Sequence, residues 1–183
     1  STAGQLRAGR AESPRSVACA HPLQSFSAAV APPAHFHGVA FGVEGEPEAA
    51  AVGQALALAL GGRPFWVKDE AAKALYHAAC CVASNGLVAL AHRAVDLFGA
   101  AGVGRAEALA ALSPLITGTA LNLAAAEEPA DVLTGPIARG DLRVIDAHRR
   151  AIAAAQLVDA GAAYDALCLE ITRTARLQAE RRG

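Results

Sequence analysis

Apolar positions fall into two textures along the chain. Up to residue 67 they form short runs broken by turn residues; beyond it they spread through long Ala/Leu stretches with helical spacing. Ser16-Val-Ala-Cys-Ala20 is a short apolar run without alternation, the pattern of a strand covered on both faces in a parallel sheet. Gly38-Val-Ala-Phe-Gly-Val43 and Arg63-Pro-Phe-Trp-Val67 are two further predicted strands. Between them, Glu44 to Pro47 makes a turn with Pro47 in the first helical turn, and residues 47–60 form a helix closed by Gly61-Gly62. Strand, helix and strand in about 30 residues predict a crossover unit of a parallel sheet. Residues 1–15 read as loop or frayed helix, and residues 21–37, with their prolines and histidines, as loop.

No convincing strand follows Lys68. Helices are predicted over 69–98 (stopped by Gly99), 105–112, 114–126, 141–159 and 162–181, with Asp141 as an N-cap. The fold class is therefore α/β followed by all-α, with domains at 1–67 and 68–183. A parallel sheet of three strands with open edges is incomplete by itself. Further strands are expected from upstream sequence or another chain.

Charge and composition narrow the partners. A net charge of −1 offers no field for a phosphate backbone, and aromatics at 4% offer no base-stacking platform, so nucleic acid is not an expected partner. No apolar run reaches the roughly 20 residues of a membrane span, so no membrane partner is expected. Cys19, Cys80, Cys81 and Cys168 form no C-x-x-C pair and read as reduced thiols, which suits a cytoplasmic location. The chain opens Ser-Thr-Ala-Gly and has 0 Met, and reads as the later part of something longer.

Candidate chemistry centres on the first long helix. At about 100° per residue, Lys73, His77, Cys80 and Ser84 share one stripe, while Asn85 lies about 120° from Lys73, at the edge of the site. A Lys and a His one turn apart can reach one bound carbonyl or hydroxyl, and partial burial is expected to lower both pKa values toward the range useful for proton transfer. The alternative is a Lys73 that reaches water and a structural His77. His21, Gln24 and Ser25 follow a predicted strand, where open α/β sheets bind ligands, although such a loop can equally bond its own backbone. Thr134 to Asp141 carries Arg139 between Gly135 and Gly140 and can hold a carboxylate or phosphate; an interhelical turn is the alternative. His35 and His37 could join His21 in a metal site, but no carboxylate or thiol has matching spacing, so no metal is expected.

Taken together, His21-Pro-Leu-Gln-Ser-Phe26, Phe41-Gly-Val-Glu-Gly45, Lys73-Ala-Leu-Tyr-His-Ala-Ala79, Ala83-Ser-Asn85 and Leu133-Thr-Gly-Pro-Ile-Ala-Arg-Gly-Asp141 resemble a bacterial family. Its members join a Rossmann-like domain to a helical C-terminal domain of unknown function, and are described as NADP oxidoreductases of the deazaflavin-coenzyme-dependent type. The wider superfamily includes 6-phosphogluconate dehydrogenase, the β-hydroxyacid dehydrogenases and pyrroline-carboxylate reductase. The resemblance implies NADP or NAD as cofactor, a small-molecule substrate and a homodimer formed through the helical domain. It implies Lys73 as general acid/base and His77 as substrate-orienting partner, where the first two of those groups carry Lys-x-x-x-Asn. His21, Gln24, Ser25, Ser84, Asn85 and Arg139 are the implied substrate-binding residues. The chain lacks the Gly-x-Gly-x-x-Gly turn after a strand that holds the pyrophosphate; Gly99-Ala-Ala-Gly102-Val-Gly104 lies between predicted helices. The chain alone is accordingly expected to bind the cofactor poorly and to be inactive. The competing reading is a non-enzymatic helical dimerisation or ligand-sensing module on a Rossmann remnant.

Overall fold

The computed structural model describes residues 16–26 and 33–183. The predictions for residues 1–15, and part of the expected 21–37 loop, lie outside the described residues. Contacts divide the chain into two compact units, Ser1–Gly86 and Leu87–Gly183.

In the first unit, β1 (Ala18–Pro22), β2 (Ala40–Gly45) and β3 (Arg63–Trp66) form one sheet in the order β1-β2-β3. β2 and β3 are parallel and joined by α1 (Pro47–Ala59), the expected crossover. β1 departs from the parallel sheet expected from sequence, because it runs antiparallel to β2. Leu23 N–H donates to Ala40 O at 2.8 Å, so β1 ends where β2 begins and the chain re-enters the sheet at the same end. His21 and Pro22, expected in a loop, complete β1; Pro33–Phe36 form a short 3-10 turn within the rest of that stretch. Phe41, Val43, Ala50 and Ala57 are the buried core between sheet and α1, with Ala18, Ala20, Phe36, Val39 and Leu60 packed around them.

Asp69 opens the long helix α2 (Glu70–Ala100) by accepting from Ala72 N–H at 2.8 Å. The helix passes Gly99, the expected stop, and the chain turns at Gly102, whose φ of 85° suits glycine. Its middle, Cys81–Asn85, is a π turn closed by Gly86 N–H donating to Cys81 O. The first compact unit includes the helix as far as Gly86, beyond the residue-68 boundary drawn from texture. Tyr76 accounts for the difference: its ring meets Phe65 of β3 edge-on at 5.6 Å, tying this part of the helix to the sheet.

The second unit holds α3 (Arg105–Ala125), α4 (Leu142–Ala154) and α5 (Val158–Arg182). Sequence predicted two helices separated by Ser113, the second opening at Pro114; α3 is continuous through Pro114. The lost backbone bond is tolerated because Val95, Ala108 and Leu112 form a buried cluster with Ile116 against it, spanning the proline on both sides. The break between the last helices falls at residues 155–157, earlier than expected. Gly161 lies inside α5, where a Cβ would meet Ile152 Cγ2 at 3.3 Å; this glycine serves close helix packing rather than a stop. Asp141 caps α4 through Val144 N–H at 3.3 Å, as predicted. By length and average composition α2 and α3 could each cross a membrane, although no unbroken apolar run reaches that length. Their Ala-rich faces make the difference: single polar residues interrupt the runs without lowering the average enough.

Candidate functional site

The register of β1 sets the site. His21 stands opposite Gly42, and Cys19 opposite Glu44. A Cβ on Gly42 would meet Tyr76 Oη at 3.0 Å, so the missing side chain lets Tyr76 lie directly over the sheet beside His21. Two further contacts fix the run of α2 along β1. Lys73 pairs with Glu44, and His77, one helical turn on, meets His21 with ring centroids 5.8 Å apart. The helix therefore advances in the same direction as β1, and the residues after His77 project past the end of that strand.

A pocket of about 400 Å³ opens there. β1 and the residues after it supply His21, Gln24 and Ser25; α2 supplies His77, Cys80 and Ser84. Three of the four stripe residues thus face one pocket, and the loop residues singled out from sequence face it too. Cys81, Ala83 and Asn85 also line it, and the π turn explains them. One extra residue in the turn rotates the residues beyond it back by about 100°, which brings Asn85 from about 120° off the stripe to near its centre. A wider turn is not legible in Cys-Val-Ala-Ser-Asn, which reads as ordinary helix.

Lys73 lies outside the lining. Its ammonium donates to Glu44 Oε1, and both side chains are largely buried, at 18% and 16% exposed. Burial alone would lower the Lys73 pKa, but the hydrogen bond and charge of Glu44 outweigh it and raise it above 10.5. The expected lowering is reversed because sequence spacing showed no acid: Glu44 is distant in the chain and reaches Lys73 only through the sheet. His21 shifts the opposite way. Burial, then the His77 and Lys73 charges, hold its imidazole below 6.5, so it is neutral at pH 7. Its Nδ1 is buried and meets no hydrogen-bond partner among the described residues. Such a group costs about 1–3 kcal/mol and is uncommon without a functional reason.

The pocket sits at the carboxyl end of β1. Because β1 is antiparallel, this is the amino end of the parallel pair β2 and β3, not the end where ligands usually bind in parallel sheets. Arg139 belongs to the second unit and is exposed; its backbone N–H donates to Gly135 O at 3.2 Å, and its guanidinium has no hydrogen-bond or ion-pair partner among the described residues. Gln178 steadies the approach to its loop by donating to Asp131 O and Leu133 O at 3.3 and 3.2 Å. Among the described residues no group of three His, Cys, Asp or Glu could hold a metal ion; His35 and His37 are exposed. The Gly99–Gly104 segment joins α2 to α3 and follows no strand, so it is not a dinucleotide-binding turn.

A larger groove, about 560 Å³, lies between α4 and α5. Its ionisable groups are engaged with one another: Arg149 bonds Asp165 at 2.7 Å, and Tyr164 Oη meets His148 Nδ1 at 2.8 Å. Burial and a hydrogen bond with Cys168 push the Tyr164 hydroxyl up to about 12, so it stays protonated. Size favours this groove, but unengaged proton-transfer groups lie in the smaller pocket, which is the better site.

Two solved structures share the fold. A protein of Thermotoga maritima matches with a TM-score of 0.71 and 28% identity, over 90% of this chain and 63% of that one. A protein of Bacteroides fragilis, named a "putative NADP oxidoreductase", matches with a TM-score of 0.67 and 26% identity, over 84% of this chain and 56% of that one. The chain thus spans about three-fifths of the length of these relatives, and its fold is a partial Rossmann-like α/β part followed by a helical domain. No curated protein matches it. Residues 39–171, well over half of the chain, match the domain of unknown function DUF2520, and the chain belongs to that family.

Proposed function

We propose that this chain forms the substrate-binding and dimer-forming part of a NAD(P)-dependent oxidoreductase. The His21–His77 pair carries this reading, because interconverting an alcohol and a carbonyl requires a proton moved at the oxygen. Two imidazoles at the edge of one pocket, one neutral at pH 7, supply a donor and an acceptor in reach of one bound group. The likeness to the Bacteroides fragilis protein supports the redox half of the reading.

In this account His77, the more exposed of the two rings, exchanges the proton with substrate. His21, wedged between His77 and Tyr76, orients the oxygen. Gln24, Ser25, Ser84 and Asn85 position the remainder of the substrate. Lys73 acts as a strut, since its proton is held by Glu44. The nicotinamide cofactor, NADP by the likeness, is held by sequence outside the described residues; a deazaflavin is the second redox coenzyme that the family resemblance adds. The protein is a cytoplasmic homodimer joined through its helical domain. Exposed Leu109, Leu115, Leu121 and Leu123 give α3 apolar surface to cover.

Titrating NADPH and NADH into the protein extended to the length of its structural relatives tests the reading. Saturable binding of either, lost in the 183-residue chain, is expected. Absence of saturable binding by the extended protein would remove the dehydrogenase assignment.

A further inference from the structure

Among the described residues, six polar side chains line the pocket around its thiols: His21, Gln24, Ser25, His77, Ser84 and Asn85. None is a carboxylate, an ammonium or a guanidinium. The ionic pair nearest to them, Lys73 with Glu44, closes on itself and leaves no charge to offer. An amide, a hydroxyl and a neutral imidazole each carry both a donor and an acceptor. A hydroxyl on a ligand has the same double character and pairs with any of them. A carboxylate or phosphate only accepts, so it would leave lining acceptors without partners and its own charge without a counterion. The volume of about 400 Å³ lies within the range of small-molecule sites, roughly 300–1,000 Å³.

We infer that the pocket takes an uncharged compound carrying several hydroxyl groups, with or without a carbonyl, in preference to phosphorylated or carboxylated counterparts. This rests on the reading of the pocket as the substrate site, and names the class of substrate that fits it. The π turn is the device that completes the specificity. By swinging Asn85 inward beside Ser84, it puts a neutral amide where the next residue of an unbroken helix would point elsewhere.

Cys81 is exposed and lines the pocket, so its alkylation reports occupancy without turnover, and buried Cys168 serves as internal reference. The extended protein, free of nicotinamide cofactor, is treated with iodoacetamide in the presence of erythritol, erythronate or erythritol 4-phosphate. Modification of the peptide carrying Cys80 and Cys81 is followed by mass spectrometry. Erythritol is expected to slow labelling, and the two anions to leave it unchanged. In Asn85→Leu and in the loop variant Gln24→Leu, the erythritol concentration for half protection should rise about tenfold, the effect of one lost hydrogen-bonding group. Protection by the anions equal to or better than by erythritol overturns the inference, as does protection by none of the three. Protection by erythritol in a protein that binds neither NADPH nor NADH upholds the ligand class and overturns the redox reading alone.

Discussion

Burial and the neighbouring His77 and Lys73 charges depress the pKa of His21, and this has a consequence for stability. The unfolded chain takes up the His21 proton at 6.5, the folded protein only at lower pH. The contribution of neutral His21 is therefore complete above 6.5 and is lost as pH falls from 6.5 through the lower native value. Thermal melts should show a drop in Tm between pH 7 and pH 5 that is smaller in His21→Gln than in the parent protein. Equal drops in both would show that His21 is not responsible. The partner residues follow the same logic. Removing Lys73 alone leaves Glu44 largely buried and unpaired; Lys73→Met should cost about 1–3 kcal/mol in denaturant unfolding, with part regained in Lys73→Met/Glu44→Gln. At this scale residue types were legible in the sequence and their partners were not. Spacing along a helix put Lys73 and His77 together, but Glu44 and His21 arrive through strand register, which no local pattern records.

The long helix α2 shows the same division between elements. Its start was readable, because Asp69 ahead of an Ala-rich run is an N-cap signal, and Asp69→Ala should cost about 1 kcal/mol in unfolding free energy. The π turn was not readable, and it decides whether Asn85 faces the pocket. Between α4 and α5, the break was expected at residues 160–161, and the turn is made by Gln156, a residue other than glycine at φ 56°. Left-handed backbone is strained for glutamine, so Gln156→Gly should raise stability by up to about 1 kcal/mol. Sequence rules favour glycine as the breaker, and here the glycine was needed for packing against Ile152 instead.

For the molecule as a whole, the order of an α/β part followed by helices was legible from texture alone, because periodicity changes once and does not change back. The direction of β1 was not: a strand buried on both faces looks alike whichever way it runs, and only the pairing in space, Ala18 with Gly45 and Pro22 with Phe41, distinguishes them. That direction matters, since it puts the pocket at the carboxyl end of β1 and places His21 against His77. Assembly belongs to this scale too. Leu115→Glu with Leu121→Glu should convert the proposed dimer to a monomer in light scattering, through a charge on each of two exposed apolar positions of α3. The central claim, that the imidazole pair and not Lys73 handles the proton, has a direct measurement. Turnover of NADPH with uncharged hydroxyketones should be followed in the extended protein and in His77→Ala, His21→Gln and Lys73→Met. The account predicts that His77→Ala lowers kcat by about 10²–10⁴, the usual contribution of a general acid or base. His21→Gln should lower kcat by a smaller factor, and Lys73→Met should keep most of its kcat while losing stability. A folded Lys73→Met protein with kcat abolished, beside a His77→Ala protein with kcat intact, would contradict it.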